Sequence, residues 1–239
     1  MSKPYVVGID IGGTNTVFGI VDARGVVLAS SSIKTRKNPT IEGYLDELHT
    51  ELTKLLEAND AVGKIHGIGI GAPNANYYTG TIESGVNLPW PTPIPLAKLV
   101  SDKFGIPVSI TNDANAAAIG EMTYGAARGL KDFIMITLGT GVGSGIVING
   151  QLVYGHDGFA GELGHIIVKR NNGRLCGCGR RGCLETYCSA TGVAQSAREF
   201  LEARASEPSL LRNIPADEIT SKDVYDVSLI HISEPTRPY

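Results

Sequence analysis

The pattern of hydrophobic and polar positions along the chain predicts an α/β protein. Short apolar runs bounded by glycine, proline or charged residues are typical of strands. Such runs fall at residues 5–10, 16–21, 26–29, 65–70, 108–111, 133–138, 145–148 and 152–154. Apolar residues recur at three- and four-residue steps from Ile41 to Leu56, which indicates an amphipathic helix. Further helices are predicted over residues 96–104 and 114–127.

A unit of strand, glycine loop and strand occurs twice in the chain. Residues 9–13 (IDIGG) align with residues 136–140 (ITLGT), and residues 19–21 (GIV) align with residues 145–147 (GIV). The spacing is too long for a solenoid repeat and indicates a duplicated domain. Chance similarity of glycine-rich hairpins is the alternative. We therefore predict two α/β lobes, at residues 1–111 and 112–227, with the two glycine loops facing one cleft.

Composition narrows the classes of function. Glycine accounts for 30 of the 239 residues, above the usual share of about 7%, and its clusters suggest tight loops that approach a ligand. The net charge of −3 disfavours a nucleic-acid binder, because such proteins are usually basic. The charge-free stretch over residues 133–155 is interrupted by glycines and polar residues, so we predict no membrane helix. With no secretory signal in view, we expect a cytoplasmic protein with reduced thiols.

The two glycine loops are candidate sites for the phosphates of a nucleotide. Glycines allow backbone N–H groups to approach phosphate oxygens, and a threonine hydroxyl can add a bond. An aspartate at the end of the preceding strand can hold Mg²⁺ through water. The positions concerned are Asp10, Gly12, Gly13 and Thr14 in the first loop and Gly139, Thr140 and Gly141 in the second. Either loop alone could be a plain hairpin turn, whereas the pair favours a nucleotide cleft.

Residues 111–115 (TNDAN) lie at a predicted junction between a strand and a helix. Asn112 or Asp113 could cap the helix, since both residue types accept hydrogen bonds from the first backbone N–H groups. A carboxylate at the C-terminal end of a strand, inside a cleft, is also where a general base would lie. The sequence alone leaves both interpretations of Asp113 open.

Three cysteines and a histidine have the spacing of a metal site. Cys176, Cys178 and Cys183 lie within eight positions among glycines, and His165 precedes them. The glycines let the chain fold back, so the four side chains suit the tetrahedral Cys₃His arrangement of structural zinc. Free buried thiols are the alternative, and disulfides are not expected in the cytoplasm. We interpret Cys188 as a core thiol on a helix.

Four motifs together resemble the ROK family of bacterial sugar kinases and sugar-responsive repressors. They are Asp10-Ile-Gly-Gly-Thr, Asn112-Asp113-Ala-Asn115, Gly161-Glu162-Leu-Gly-His165 and Cys176-x-Cys-Gly-x-x-Gly-Cys-x-Glu185. The resemblance extends from residue 5 to about residue 227, and the cysteine-rich string is its most specific part. Residues 86–90 (VNLPW) also resemble the sugar loop of the glucokinase branch.

The resemblance implies an actin-like, hexokinase-type fold of the ribonuclease H-like class. In that fold two lobes of duplicated topology hold ATP and a hexose in the cleft between them. The implied activity is ATP-dependent phosphorylation of a hexose at the 6-hydroxyl, with glucose as the first choice because of the VNLPW loop. A hexose and ATP are therefore the expected partners, with no nucleic acid and no membrane, and a homodimer is expected for the full-length parent.

The resemblance also implies a role for each matching residue. Asp113 would be the catalytic base that accepts the proton of the sugar's 6-hydroxyl. The sugar ring would be bound by Asn87, Asn112, Asp113, Glu162, His165 and Glu185. Structural Zn²⁺ would be held by His165, Cys176, Cys178 and Cys183. The phosphates of ATP and the Mg²⁺ ion would lie among Asp10, Gly12, Gly13, Thr14, Thr140 and Gly141, with Gly139 opening the second loop.

Other functions remain open at this stage. Kinases of N-acetylhexosamines or fructose share the same motifs, and a noncatalytic sugar-binding fragment is a further alternative. A ROK repressor would carry an N-terminal helix-turn-helix domain, for which a first strand beginning at Tyr5 leaves no room. Asn74 stands where many relatives have glycine, which weakens the assignment of that loop.

The end of the chain departs from the family pattern. Family members continue well beyond residue 227, so we expect an incomplete second lobe that lacks much of the adenosine pocket. Residues 220–225 have a capping signal for a helix that has little room to continue. Residues 228–239 (SLIHISEPTRPY) resemble the translation of a common sequencing adapter, and we interpret them as a non-native tail.

Overall fold

A computed structural model describes residues 4–84 and 88–229 of the chain. Numbered in chain order, the strands are β1 (Tyr5–Ile11), β2 (Asn15–Asp22), β3 (Val27–Lys34), β4 (Ile65–Gly71), β5 (Ala75–Asn76), β6 (Thr81–Ile82), β7 (Val108–Thr111), β8 (Phe133–Leu138), β9 (Val142–Ile148) and β10 (Gln151–Leu152). The α-helices are α1 (Ile41–Ala58), α2 (Leu96–Phe104), α3 (Asp113–Thr123), α4 (Glu185–Cys188), α5 (Ala190–Ala203) and α6 (Ser221–Leu229). None of these helices, within the described part of the chain, is long and apolar enough to cross a membrane.

The described residues form two compact units. The first unit contains the described residues up to 135 together with residues 145–161, and the second contains residues 136–144 and 162–229. These units are defined by packing within one chain. The lobe boundaries predicted at residues 111 and 227 refer to the domains of the family, which these packing units do not test. Those boundaries therefore remain predictions.

A mixed five-stranded sheet organises the first unit. Its strand order is β3-β2-β1-β4-β7, with β1 antiparallel to β2 and parallel to β4, and β4 parallel to β7. Val7, Ile9 and Ile11 alternate along β1 toward a buried face, as the two-residue period of a strand requires. Parallel pairing brings the C-terminal ends of β1, β4 and β7 to the same edge, where ligands bind in sheets of this type.

Helix α1 supplies much of the core of the first unit. The Thr40 side chain caps it by accepting the Gly43 N–H at 3.2 Å. The helix buries Tyr44, Leu45, Leu48, Leu52 and Leu56 in the same cluster as the buried face of β1. The predicted apolar stripe is therefore confirmed, with Ile41 and Leu55 partly buried at its border.

Several elements differ from the predicted ones. Strand β3 continues through Ser30, Ser31 and Ser32 to Lys34, because pairing with β2 supplies backbone hydrogen bonds that the polar sequence does not reveal. Helix α3 ends at Thr123 rather than Ala127 because the Glu121 carboxylate accepts the Ala126 N–H at 2.7 Å and turns the chain. The predicted strand at 152–154 is a two-residue pairing of Gln151 and Leu152 with β9.

The second unit has a smaller core and is built around its loops. Its buried apolar residues include Val142, Ala194, Leu211 and Ile219. Helix α5, which the sequence analysis missed, is capped by the Ser189 side chain at the Gly192 N–H. Helix α6 forms over nine residues and passes the boundary expected at residue 227. Cys188 ends α4 and is half-buried, so the expectation of a core thiol is wrong in its burial.

Candidate active site and metal centre

Two carboxylates in the first unit lie near the C-terminal ends of the parallel strands. Asp10 of β1 pairs with Gly71 of β4, Gly71 pairs with Thr111 of β7, and Asp113 begins α3 directly afterwards. Burial raises the pKa of the Asp10 carboxyl, and the negative charge of Asp113 raises it further. Two neighbouring carboxylates, one partly desolvated, form a donor set that suits a hard divalent cation such as Mg²⁺.

Both carboxylates line a cavity of about 620 Å³ on the face of the sheet opposite α1. Gly8, Gly69 and Gly71 contribute to its floor, and a Cβ atom on Gly8 or Gly69 would have no atom within 4 Å. The other lining residues are mainly apolar. Asp10 and Asp113 are thus the two carboxylates of a recess in the first unit that is otherwise mainly apolar and is also lined by the Tyr154 phenol.

The structure decides which residue caps α3. Asn112 is the N-cap, and its Oδ1 accepts the Asn115 N–H at 2.7 Å. Asp113 is the first helical residue, and its Oδ1 accepts the N–H of the adjacent Ala114 at 2.8 Å. The capping interpretation therefore applies to Asn112, and Asp113 is not needed for it.

The first glycine loop is held by side chains that the sequence analysis did not select. Thr35 Oγ1 donates to the Gly12 carbonyl at 2.8 Å, and Arg36 Nε donates to the Gly13 carbonyl at 2.8 Å. The Thr35 N–H donates to the carbonyl of Thr14 at 3.0 Å. Three carbonyls of the loop thus have partners on one side, which fixes the shape of residues 12–14. No motif marks Thr35 or Arg36, since they become neighbours of the loop only through the pairing of β2 with β3.

A network of buried hydroxyl groups contacts Thr35, the residue that binds the first glycine loop. Thr16 Oγ1 lies 3.0 Å from Thr35 Oγ1 and 2.9 Å from the Tyr44 hydroxyl. All three side chains are almost fully buried. Burial raises the pKa of the Tyr44 phenol, so the group stays protonated and can donate. The apolar stripe of α1 therefore also delivers one polar atom to the base of the candidate phosphate loop.

In the second unit the four predicted metal ligands come together. One ligand atom from each of His165, Cys176, Cys178 and Cys183 lies within 4.8 Å of every other. Cys178 Sγ is 3.7 Å from Cys183 Sγ, and Cys176 Sγ is 3.5 Å from His165 Nδ1. Tetrahedral zinc with bonds of about 2.3 Å to sulfur and about 2.0 Å to nitrogen would place these pairs about 3.8 Å and about 3.5 Å apart. The donor set and its spacing therefore fit Zn²⁺.

Residues 165–183, which carry the four candidate ligands and are named the metal loop, need glycine at positions where the backbone packs closely. A Cβ atom on Gly173 would lie 2.6 Å from the Gly182 Cα, and one on Gly182 would lie 1.9 Å from the Lys169 carbonyl oxygen. Gly182 also has a positive φ of 83°. The backbone N–H of Arg180 lowers the pKa of the Cys178 thiol to about 6, which favours the thiolate that binds metal.

Candidate sugar ligands of the second unit surround the same histidine. His165 Nε2 lies 3.9 Å from Glu162 Oε2, and its Nδ1 lies 3.6 Å from Glu185 Oε1. If Nδ1, which lies 3.5 Å from Cys176 Sγ, binds the metal, only Nε2 is left to face a sugar hydroxyl. Glu185 also lies against the second glycine loop, since a Cβ on Gly141 would be 2.8 Å from Glu185 Oε2.

The second glycine loop is anchored to the first turn of α5. The Gly139 N–H donates to the Gly141 carbonyl at 3.1 Å, which closes a tight turn. The Ala190 N–H donates to the Gly139 carbonyl at 2.9 Å, and Thr191 Oγ1 donates to the Thr140 carbonyl at 3.1 Å. The loop carbonyls are thereby engaged by α5.

The predicted site residues are divided between the two units. Asp10, the first glycine loop, Asn112 and Asp113 belong to the first unit, and Glu162, His165, Glu185, the second glycine loop and the cysteines belong to the second. Asn87 lies outside the described residues. The roles assigned to these residues in sugar binding and catalysis stay predictions.

The chain belongs to the ROK family, whose model matches residues 6–234. A glucokinase of Halalkalibacterium halodurans is 38% identical over 230 residues, which is 95% of this chain and 69% of that protein. A xylose repressor of Bacillus subtilis is 35% identical over 196 residues, covering 80% of this chain and 50% of that protein. The family therefore contains both kinases and repressors among the relatives of this chain.

A solved structure shows the same fold. The crystal structure of a ROK family glucokinase from Streptomyces griseus, in complex with glucose and AMPPNP, superposes with a TM-score of 0.74 at 36% identity. The match covers 95% of this chain and 71% of that one. The expected actin-like α/β fold is thus confirmed, and part of the relative's chain has no counterpart here, as expected for an incomplete second lobe. The chain spans between 62% and 69% of the glucokinases it matches in Halalkalibacterium, Streptomyces coelicolor and Thermotoga maritima.

Proposed function

We propose that the protein is the sugar-kinase type of ROK protein and that it phosphorylates a hexose, glucose first, at the 6-hydroxyl with ATP. The observation that carries the proposal is the pair of Asp10 and Asp113 beside one cavity, at the edge of the sheet where parallel strands end. Similarity to glucokinases at 36–38% identity supports the choice of glucose.

Asp113 acts as the general base in this proposal. It stands at the first position of α3, while Asn112 provides the cap, so its carboxylate is available to accept the proton of the attacking hydroxyl. Removing that proton as the oxygen approaches phosphorus raises the negative charge on the nucleophile. Phosphoryl transfer otherwise depends mainly on positioning and charge stabilisation.

Polar side chains would orient the sugar ring. Glu162 and Glu185 can each accept hydrogen bonds from two adjacent ring hydroxyls, as Asn87 and Asn112 can accept and donate them. Asn112 uses its Oδ1 for the helix cap, which leaves its amide group to donate to a sugar oxygen. His165 can offer only Nε2 if its Nδ1 binds the metal.

The two metals have different proposed tasks. Asp10 would hold Mg²⁺, and the loops at residues 12–14 and 139–141 would hold the phosphates; the magnesium ion would neutralise charge on ATP during transfer. The Cys₃His cluster would bind structural Zn²⁺ and thereby fix the segment from His165 to Glu185. A cytoplasmic location and a homodimeric parent belong to the same proposal.

A panel of sugars tests the proposal. Sugar binding to this chain is measured by calorimetry with glucose, N-acetylglucosamine, fructose and xylose. ADP release with ATP, Mg²⁺ and the same sugars is measured in the full-length parent, because this chain is expected to lack much of the adenosine pocket. We expect ADP release to be fastest with glucose. Binding of a sugar without ADP release would instead identify a noncatalytic sugar-binding protein, the role suggested by the similarity to xylose repressors at 31–35% identity.

A further inference from the structure

Arg174 is largely, though not fully, buried in the second unit although it carries a charge. Its side chain is 13% exposed, and it lies in the segment that leads to Cys176. The guanidinium donates to five acceptor atoms on neighbouring elements. These acceptors are Thr186 O at 2.5 Å, Gly192 O at 3.1 Å, Ser196 Oγ at 3.0 Å, and Glu199 Oε1 and Oε2 at 3.2 and 2.7 Å. Its charge also lies 4.6 Å from the centre of the Tyr187 ring.

The acceptor atoms belong to two helices. Arg174 can bind all of them at once only while these helices are packed against each other. Thr186 lies in α4, whereas Gly192, Ser196 and Glu199 lie in α5. The helices approach closely, since a Cβ atom on Gly192 would lie 2.8 Å from the Thr186 carbonyl oxygen. Arg174 thus joins α4, which begins with Glu185, to α5.

The backbone of Arg174 belongs to the metal loop. Its carbonyl accepts the Gly182 N–H at 2.9 Å, next to the metal ligand Cys183, and its own N–H donates to the Tyr187 hydroxyl at 3.0 Å. The metal ligand Cys176 follows two residues later. The position of Arg174 therefore depends on how the metal loop closes around its four ligands.

Helix α5 also contacts the second glycine loop, residues 139–141. The first turn of α5 binds that loop through Ala190 and Thr191, which donate to the carbonyls of Gly139 and Thr140. A continuous set of hydrogen bonds then runs from the metal loop through Arg174 to α5, and from α5 to the glycine loop. All of these residues lie in the second unit.

We propose that Arg174 is a positioning residue that makes the geometry of the glycine loop at 139–141 depend on metal occupancy of the Cys₃His cluster. A metal ion held by His165, Cys176, Cys178 and Cys183 would keep the segment of residues 173–183 closed. The closed segment would position the Arg174 guanidinium, and its hydrogen bonds would keep α5 in contact with the carbonyls of Gly139 and Thr140. Arginine suits this task because its planar group makes several hydrogen bonds in fixed directions, which lysine cannot reproduce. The coupling itself stands on the contacts above, while its meaning for ATP rests on the proposed function.

The test uses zinc release and amide exchange, neither of which needs sugar or ATP. The zinc-loaded protein is mixed with a chromogenic zinc chelator, and hydrogen exchange is measured by mass spectrometry in peptides covering residues 136–145 and 189–193. In the unsubstituted protein, we expect chelation of zinc to speed exchange in both peptides. In Arg174→Met we expect about tenfold faster zinc release, the scale typical for losing an outer partner of a metal site. Exchange at both peptides should already be fast with zinc bound.

Matched variants separate coupling from general damage. Arg204→Met removes another arginine at the end of α5, where it contacts Phe200 and Glu207 and neither loop, and it should leave both readouts unchanged. Glu199→Gln keeps the shape of the side chain but removes the charge that pairs with Arg174. It should speed zinc release and amide exchange as Arg174→Met does, by a smaller factor. This variant serves as the test if Arg174→Met fails to fold. Arg174→Lys should restore only part of the zinc retention. Unchanged zinc release in Arg174→Met and Glu199→Gln, or faster exchange confined to residues 189–193, would overturn the proposal.

Discussion

At the scale of single residues, Asp10 shows a conflict between folding and binding. Its pKa is raised by burial and by Asp113, so ionising it costs folding free energy. A raised carboxyl pKa gives stability that is complete below the unfolded value, near 3.8, and is lost as the pH rises through the folded value. Asp10 is exposed to solvent on one side, so solvent screening keeps this cost small, and without a bound cation its charge is weakly destabilising at neutral pH.

The substitution Asp10→Asn tests this directly. At pH 7 and without Mg²⁺, we expect the variant to melt at a slightly higher temperature than the unsubstituted protein. The difference should shrink as the pH falls toward 3.8 and vanish well below that value, where Asp10 is protonated in both the folded and the unfolded state. Thermal melts followed by circular dichroism at several pH values measure this. A lower melting temperature for the variant at pH 7 would show that Asp10 makes a stabilising contact instead.

Asp113 is the residue on which the proposed chemistry depends. In a protein with measurable glucose phosphorylation, including a longer relative carrying the same motif, we expect Asp113→Asn to lower kcat by ~10²–10⁴-fold, since that is the usual contribution of a general base. The KM for glucose should change little, because the amide keeps the shape and a hydrogen bond. Steady-state kinetics measure both, with Asp157→Asn as the control on an exposed carboxylate of the same unit. Near-normal turnover in Asp113→Asn would remove the base assignment.

At the scale of elements, the segment with the four candidate metal ligands lies in a unit that has a small hydrophobic core. The second unit buries few large apolar side chains, whereas Cys176 and Cys183 are buried and the loop around them consists largely of short turns. In such segments the free energy of metal binding contributes directly to folding. The loop should therefore lose its structure without the ion, although α1 and the sheet of the first unit should not.

Cys178→Ser, or chelation of zinc, is the corresponding experiment. We expect elemental analysis to find about one zinc per chain in the unsubstituted protein and far less in the variant, with weaker sugar binding. Amide exchange should rise at residues 165–188 and stay unchanged in α1. Cys188→Ser, which changes a cysteine outside the cluster, should keep the metal. Stoichiometric zinc in Cys178→Ser would contradict the ligand assignment.

The elements themselves were predictable to different degrees. Helix α1 has a strong apolar period and a capping threonine, so its location follows from local sequence. The serine-rich half of β3 and the end of α3 depend on partners distant in sequence or on one side-chain bond, as with Glu121 and Ala126. The pattern of apolar and polar positions along a short segment does not report strand pairing or a single side-chain hydrogen bond.

At the scale of the whole molecule, strand β8 carries an exposed apolar face. It is an edge strand of the three-stranded sheet β10-β9-β8, and its side chains alternate between half-buried and exposed. Ile134, Ile136 and Leu138 are 55%, 52% and 64% exposed. An apolar edge strand invites pairing with other chains. The 239-residue chain should therefore aggregate readily.

The double substitution Ile134→Thr/Ile136→Thr should reduce this aggregation. Threonine keeps the β-branched shape that suits a strand while removing apolar surface. We expect light scattering at a fixed protein concentration to fall severalfold, with the melting temperature changed by no more than about 2 °C, the range of most surface substitutions. Val62→Thr, at an isolated position that is 60% exposed, serves as the control and should have no effect. If the double variant aggregates as much as the unsubstituted protein, the surface responsible for aggregation is not this face of β8.

The sequence by itself determined the α/β class, the family, the two glycine loops and the four residues that cluster as candidate metal ligands. These properties depend on residue type and short spacing, as in Cys176-x-Cys178, where local chain geometry already limits what the side chains can do. Only the tertiary structure decided that Asn112 and not Asp113 caps α3, that Thr35 and Arg36 hold the first loop, and that Arg174 joins the metal loop to α5. The physical reason is that these contacts depend on strand register and helix packing, which bring together residues far apart in the chain.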